Sequence, residues 1–277
     1  MKLFLRIRNI LGVVVAILFL LFTLFPVYWL ILTSFKTTLD IVSPTPVFLI
    51  DYVELKNYID PFSGMVGPYL ESLRNSLIIA VGSIIINLSL GFLAAYGFSR
   101  FKLKGDVHLF FWTLTNRMAP PAIFVIPYYM IYSYLHLLDT HVGLIIVYTV
   151  FNLPLTIWLL KGFFDSIPKD LEEAALVDGH SQWYVLTKII IPLSKAGIAV
   201  AALFIFIFSW NEYCFAMMLT SLNARTLPSS LSGFVTSVWM QWGYLAAVAT
   251  VSIIPGLILT FLLSRYILSG MTLGLAR

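Results

Sequence analysis

Six long apolar runs constrain this chain more than any other feature of its sequence. An α-helix needs about 20 apolar residues to cross the hydrocarbon core of a bilayer. Charged residues make up only 11% of the chain, against about 25% in ordinary soluble domains, so a water-soluble fold is excluded. We therefore predict an all-α integral membrane protein in a lipid bilayer, with six transmembrane helices at approximately residues 10–33, 76–98, 107–132, 142–160, 197–220 and 245–267.

The first and third runs have individual features. The first run follows basic residues, as a signal sequence would, but it would form a helix about 36 Å long, whereas the apolar part of a signal sequence has about 7–15 residues. We predict a retained membrane span. The third run contains Pro120, Pro121 and Pro127. Because proline lacks the backbone donor of a helical hydrogen bond, we expect this span to be kinked or broken.

The distribution of basic residues predicts the orientation of the chain. Twelve of the 17 Lys and Arg residues lie in residues 1–9, 99–106, 161–196 and the tail from residue 264, four lie in the alternating segments, and Arg117 lies inside the third run. Because short cytoplasmic loops collect basic residues, both termini are predicted to be cytoplasmic. These residues form no basic stripe, so the net charge of +4 gives no indication of nucleic-acid binding.

The longest predicted cytoplasmic loop, residues 161–196, has the pattern of two short helices. The pair Asp178-Gly179 would end the first, since glycine readily takes the left-handed conformation found after helices. Ser181 would cap a second helix that extends to about Ile190. An amphipathic loop that only rests on the membrane surface would show the same pattern. The pattern alone leaves both interpretations open.

The spacing of three motifs decides between them. The series Glu173-Ala174-Ala175, Asp178-Gly179 and Ile191-Pro192-Leu193 resembles the EAA loop of binding-protein-dependent ABC importer permeases. The rest of the chain is similar to the smaller permease of carbohydrate importers of the maltose-transporter type. This wider similarity is carried by Ala94-Ala95-Tyr96 with Arg100, Trp210-Asn211-Glu212, Thr226-Leu227-Pro228, Arg265-Tyr266 and Gly270-Met271-Thr272.

The resemblance implies a function for the loop and a set of partners. In that family the loop forms a cytoplasmic coupling helix, here between spans 4 and 5, that docks into a separate ATPase. It implies a second permease subunit, a cytoplasmic ATPase dimer, an extracytoplasmic solute-binding protein and a sugar-like substrate. It also implies a multi-pass location in a bacterial or archaeal inner membrane, with residues 1–277 as one permease domain. The expected coupling residues are Glu172, Glu173, Ala174, Ala175, Asp178, Gly179, Ile191, Pro192 and Leu193.

Polar residues inside two of the runs are candidates for a translocation pathway. Charged groups near the bilayer centre cost about 2.5–3.5 kcal/mol on insertion scales and usually face a cavity or a partner. One interpretation is sugar contact, because aromatic faces pack on pyranose rings while amide and charged groups bond their hydroxyls. The other is a brace between helices in which Arg117 pairs with Glu212. The candidates are Asn116, Arg117, Trp210, Asn211, Glu212 and Tyr213.

Motifs for chemistry within the chain are missing from the sequence. It contains no G-x-x-x-x-G-K-[ST] phosphate loop, so we expect ATP and Mg²⁺ to bind the partner ATPase and this chain to be non-catalytic. The four histidines lack the spacing of a metal site, and we expect no metal or other cofactor here. A lipid-modifying enzyme or protease is disfavoured, because there is no zinc signature and no G-x-S-x-G turn.

These observations predict a transporter subunit. We expect it to move a carbohydrate, namely a sugar, an oligosaccharide or a polyol, into the cytoplasm by alternating access. One alternative is a secondary transporter driven by an ion gradient, which commonly shows an internal repeat with acidic residues near the membrane midplane. Another is a permease of the same ABC class that carries glycerol phosphate.

Overall fold

The computed structural model describes residues 2–102, 104–234 and 240–275, and this part of the chain is helical, without β-strands. A π-helical segment, Val185–Ile190, joins α9 to α10, and a 3-10 turn, Leu231–Phe234, follows α13. The helices are α1 (Lys2–Ser34), α2 (Thr38–Val42), α3 (Lys56–Phe62), α4 (Tyr69–Arg100), α5 (Asp106–Asn116), α6 (Pro121–Tyr134), α7 (His141–Asp165), α8 (Asp170–Val177), α9 (Gln182–Tyr184), α10 (Ile191–Leu193), α11 (Lys195–Trp210), α12 (Cys214–Leu219), α13 (Leu227–Ser230) and α14 (Trp242–Leu275).

Long apolar helices occur at the first, second, fourth and sixth predicted spans. The described residues contain four helices that are long and apolar enough to cross a membrane: Ile10–Ser34, Tyr69–Arg100, His141–Asp165 and Trp242–Tyr266. A fifth results if Gln182–Leu193 and Lys195–Trp210, which meet at 76°, are counted as one broken span. The part of the chain that the structure describes is therefore that of an all-helical membrane protein, with four or five such helices.

The third and fifth predicted spans are interrupted, and each interruption has a local cause. Pro120 is extended and precedes α6, and Pro121 occupies the first turn of that helix, so α5 and α6 are separate helices, as the prolines predicted. The fifth run was predicted to be continuous over 197–220, which is wrong. It divides into α11 and α12, because Asn211 ends the first helix and the Glu212 carboxylate binds the free backbone donors at the start of the second.

The chain divides into two compact units. The first comprises residues 1–70 and 231–254. Within it, Asn57 on α3 donates from Nδ2 to the carbonyl oxygens of Ser34 at 3.0 Å and Lys36 at 2.9 Å, which holds α3 against the end of α1. From Ile10 onward, apolar side chains are exposed around most of the surface of α1. A helix that is apolar all round needs lipid or another chain as its surroundings.

The second unit comprises residues 71–230 and 255–277 and contains two buried apolar clusters. One joins α4, α7, the segment 182–193 and α11 through Phe92, Ala95, Ile157, Leu160, Phe164, Ile167, Val185, Leu186, Ile190 and Ala201. The other joins α4, α6, α7 and α12 through Ile79, Val125, Tyr132, Leu144, Val147, Tyr148, Phe215, Ala216 and Leu219. Helices α4 and α7 contribute to both clusters, so they connect the two parts of this unit's core.

Candidate functional site

The loop between α7 and α11 has the two-helix form that the sequence predicted. Helix α8 carries three acidic residues in its first turn, where they complement the positive end of the helix dipole. Its C-terminus is a Schellman motif, in which the Gly179 N–H donates to the carbonyl oxygen of Leu176 and the His180 N–H to that of Ala175, both at 3.1 Å. Gly179 has a φ of +85°, so the predicted left-handed glycine is confirmed.

The second half of the loop also begins as predicted. The Ser181 Oγ accepts a hydrogen bond from the Tyr184 N–H at 3.2 Å and caps α9. The helical path then continues to Leu193, but it widens to a π-helix over Val185–Ile190. The ring of His180 stacks on that of Tyr184 with centroids 3.9 Å apart, which joins the turn to the second helix.

Most of the predicted coupling residues lie on the exposed surface of the loop. Glu173, Ala174, Asp178 and Gly179 are exposed, as are Ile191, Pro192 and Leu193, whereas Ala175 is half-buried against the apolar cluster. An exposed helix end with free acidic and small residues is a surface onto which another protein can dock.

Glu172, another of the expected coupling residues, differs from its neighbours because it is buried. It is the one buried residue of α8, because its carboxylate turns inward to form an ion pair with Arg100 at the end of α4, with Oε1 2.5 Å from Nε. The Tyr96 hydroxyl donates to its other oxygen at 3.1 Å. Tyr96 and Arg100 belong to a motif noted in the sequence, but their partner lies more than 70 residues away along the chain, so sequence spacing gave no sign of the contact.

Arg117, inside the third run, contacts α7 and α11, whereas Asn116 donates to the carbonyl oxygen of Trp112 on its own helix. Nη1 of Arg117 donates to the carbonyl oxygen of Phe151 at 2.7 Å and to Oδ1 of Asn152 at 3.3 Å, and its guanidinium lies 4.3 Å from the centre of the Phe208 ring. Asn152 in turn donates to Ser209 Oγ at 3.2 Å. Arg117 therefore links the end of α5 to α7 and α11.

The proposed pairing of Arg117 with Glu212 is not found among the described residues, whose ion pairs are Arg100–Glu172 and Lys161–Asp165. The reason is that the Glu212 carboxylate accepts from the backbone N–H groups of Phe215 at 2.9 Å and Ala216 at 3.1 Å. It serves as the cap of α12.

The six candidate pathway residues do not converge on one site. A cavity of about 320 Å³ lies beside Arg117 and Asn116, with aromatic walls that include Phe124, Tyr128 and Phe151. Trp210, Asn211, Glu212 and Tyr213 do not line it. Trp210 is instead buried and stacks on Phe206 at 5.2 Å, and Asn211 bonds back to the carbonyl oxygen of Ile207. The cavity beside Arg117 therefore has the mixture of aromatic and polar groups that is expected of a sugar site.

Arg117 and Asn152 are expected to act as a pair in a double-mutant cycle, whereas Arg117 and Glu212 are not. Combining Arg117→Met with Asn152→Leu should give a coupling of about 0.5–1 kcal/mol, because the residues share a hydrogen bond in a low-dielectric site. Combining Arg117→Met with Glu212→Gln should be additive to within about 0.5 kcal/mol. Unfolding of the purified permease in detergent would measure both cycles. A larger coupling in the Glu212 cycle would contradict the assignment.

Asp139, in the connection between α6 and α7, is a structural residue that sequence reasoning missed. Its carboxylate accepts backbone hydrogen bonds from the consecutive residues Ser221, Leu222, Asn223 and Ala224. Partial burial alone would raise the pKa of Asp139, but the N–H donors of Asn223, Ala224 and Ser221 outweigh it and hold the pKa well below its usual range. The carboxylate therefore stays charged and ties this connection to the segment after α12.

Within the described ranges, no group of three or more His, Cys, Asp or Glu residues could hold a metal ion. Apolar helices too long for a soluble core, together with an exposed helix–glycine–helix loop between α7 and α11, define a polytopic membrane permease.

Comparisons with known proteins identify the family. The sequence profile of binding-protein-dependent transport system inner membrane components matches residues 87–272. The trehalose/maltose transport system permease protein MalG of Thermococcus litoralis is 34% identical over 274 residues, covering 96% of each chain. The inner membrane ABC transporter permease protein YcjP of Escherichia coli K12 is 34% identical over 258 residues, covering 93% of this chain and 92% of YcjP. The chain therefore belongs to the binding-protein-dependent transport system inner membrane components, as a multi-pass permease subunit of an ABC transporter.

A solved structure shares the fold. One chain of a bacterial ABC transporter involved in the import of the acidic polysaccharide alginate matches with a TM-score of 0.78 and 24% identity, covering 94% of this chain and 96% of that one. The similarity thus extends over nearly the whole length of both chains.

Proposed function

We propose that this chain translocates a sugar or oligosaccharide into the cytoplasm, and that the exposed surface of α8 is where a separate ATPase drives it. The observation that carries this proposal is the exposed helix Asp170–Val177, which presents Glu173 and ends in a Schellman glycine at the EAA spacing. Support for a sugar substrate comes from the trehalose/maltose and alginate systems of its relatives. Support for delivery by a solute-binding protein comes from the family's binding-protein dependence.

The division of work follows from this placement. ATP and Mg²⁺ would bind the partner ATPase, and this chain would contribute no covalent chemistry. A second permease subunit would complete the pathway, and closure of the ATPase dimer would move α8 and open the pathway inward. The nine loop residues predicted from the sequence would then divide, with Glu173 and its exposed neighbours facing the ATPase and Glu172 facing inward.

The proposed membrane topology has six crossings with both termini in the cytoplasm. Helices α5 and α6 together would make the third crossing, since a proline break is tolerated where neighbouring helices satisfy the freed backbone groups. Helices α11 and α12 would make the fifth. The basic residues favour this orientation by twelve to four. All of residues 1–277 would act as one permease domain.

Cysteine labelling is expected to establish this orientation. After replacement of Cys214, the one cysteine in the chain, a membrane-impermeant thiol reagent added to intact cells should label Met65→Cys and leave Lys102→Cys unlabelled. Both positions are exposed, so access depends on the side of the membrane. Permeabilised cells, in which both variants should react, provide the control. Labelling of Lys102→Cys in intact cells would reverse the orientation.

Reconstitution tests the function itself. The permease would be placed in proteoliposomes with its second permease subunit, the ATPase and the solute-binding protein. Neutral oligosaccharides, polyols, acidic saccharides and glycerol phosphate would be compared for stimulation of ATP hydrolysis and for uptake. We expect a saccharide to stimulate both. Stimulation by glycerol phosphate alone would reassign the substrate, and uptake driven by an ion gradient without ATP would overturn the proposal.

A further inference from the structure

The contact between α4 and α8 is made by Tyr96 and Arg100, which belong to a sequence motif that has no part in the proposed docking surface. Tyr96 and Arg100 lie in the last two turns of α4 and both bind the Glu172 carboxylate, one at each oxygen. Glu173, the next residue along α8, is exposed. The two adjacent carboxylates therefore face different partners: one faces the interior of this chain and the other faces outward.

The environment of the ion pair is closed. The side chains of Arg100 and Glu172 each expose only 7% of their surface. Arg100 also donates from Nη2 to the carbonyl oxygen of Ile167 at 3.3 Å and from Nη1 to Ser99 Oγ at 2.9 Å. Ser99 donates to Asp165 at 2.6 Å, so one guanidinium connects the end of α4 to the end of α7 and to α8. Removing one partner of such a pair leaves a buried charge uncompensated.

Besides the ion pair, α8 packs against the apolar cluster through the half-buried Ala175. Its larger apolar residues are exposed, with 47% of the surface of Leu171, 42% of Leu176 and 85% of Val177 accessible, and Glu172 is its one buried residue. Short connections flank α8 on both sides. The ion pair and the Tyr96 hydrogen bond join it directly to the end of α4.

We propose that Arg100 and Tyr96 are positioning residues of the transport cycle, which fasten α8 to the end of α4 so that a displacement of α8 moves α4. The inference rests on the proposed role of α8 as the surface driven by the ATPase. Helix α4 continues without a break from Tyr69 to Arg100, and an unbroken helix transmits motion applied at its end. Without the attachment, α8 would turn about its flanking connections and leave α4 in place.

The test uses the reconstituted complex and separates attachment from docking. Arg100→Met and Glu172→Gln should retain ATPase binding and basal ATP hydrolysis, yet lose roughly tenfold in uptake and in stimulation by loaded binding protein. Arg100→Lys, which keeps the charge but not the forked donors, should lose less. Exchange of the two charges, Arg100→Glu with Glu172→Arg, should recover part of the loss. Tyr96→Phe keeps the aromatic packing and should lose a few-fold, so it serves if the Arg100 variants fail to assemble.

Two controls make the result specific. Lys104→Met removes a positive charge at an exposed position four residues after Arg100, outside α4 and α8, and uptake should stay near that of the unmodified protein. Glu173→Lys should instead weaken ATPase binding. Normal uptake by both Arg100→Met and Tyr96→Phe would overturn the inference, as would a loss of uptake fully matched by lost ATPase binding. Failure of the unmodified permease to bind an ATPase would overturn the proposed function instead.

Discussion

Replacing Gly179 by valine is expected to lower sugar uptake by roughly tenfold or more, while the permease still inserts and still pairs with its second subunit. The left-handed conformation raises the free energy of a residue that has a side chain by about 1–2 kcal/mol, and the increase is largest for a β-branched residue. Each 1.4 kcal/mol is about a tenfold change in population. The population ratio of correctly ended α8 to other conformations of the loop would therefore fall by about tenfold. Uptake and ATP hydrolysis in proteoliposomes, with assembly followed on the same preparation, measure the effect.

The structure allows this strain to be separated from crowding. A side chain at Gly179 would meet no atom within 4 Å, so backbone conformation alone opposes the substitution. Gly64 supplies a matched control, with a φ of +83° and equally open surroundings, but outside the coupling loop. Gly64→Val should carry the same strain and transport nearly normally. Gly179→Asn should also be tolerated, since asparagine enters the left-handed region readily. Equal uptake by Gly179→Val and Gly64→Val would remove α8 from the coupling pathway.

Replacing Gly197 by leucine is expected to prevent assembly of a stable permease. Gly197 is buried at the start of α11, and a Cβ there would lie 2.6 Å from Cδ2 of Phe163 on α7 and 2.9 Å from its Cβ. These atoms lie near the backbone, so the helices themselves would have to separate. Overpacking of this kind costs about 1–3 kcal/mol or more. Because α7 contributes residues to both apolar clusters, separating it from α11 would destabilise the whole second unit.

Gly162→Leu is the matched control for this substitution. Gly162 lies on α7 one residue before Phe163, and a Cβ there would meet no atom within 4 Å. Yield in the membrane and the thermal midpoint of the detergent-solubilised protein would compare the two variants. We expect Gly162→Leu to behave like the unmodified protein and Gly197→Leu to lose most of its folded yield. A folded yield of Gly197→Leu equal to that of Gly162→Leu would show that α7 and α11 do not pack at this point.

Local features of the sequence were sufficient to predict most of the long helices and the turn at Gly179. The length of the apolar runs predicted four of the long helices. In lipid every backbone N–H and C=O must be hydrogen-bonded within the protein, and a single apolar segment can achieve this only as a helix. The proline break before α6 and the Ser181 cap likewise depend on contacts within four residues. The predicted orientation and the pathway residues remain predictions.

Local sequence features did not predict the contacts between segments that are far apart in the chain. The sequence suggested Glu212 as a partner for Arg117, since opposite charges in apolar runs seek each other. The fold instead places Asn152 and the carbonyl oxygen of Phe151 next to Arg117 and gives Glu212 the free donors of a helix end. Nothing in the spacing of residues 117, 152 and 212 favours one arrangement over the other, because the choice depends on how the helices rotate when they pack.

The sequence by itself determined that the chain is helical, resides in a membrane and carries an acidic helix ended by a left-handed glycine. All three follow from hydrophobic length or from backbone conformation, which act over a few residues. Only the tertiary structure decided that Glu172 faces inward and Glu173 outward. Consecutive residues on a helix point about 100° apart, so α8 could present only one of them to α4. Arg100 and Tyr96 at the end of α4 fix which one, since a buried carboxylate is stable only beside groups that compensate its charge.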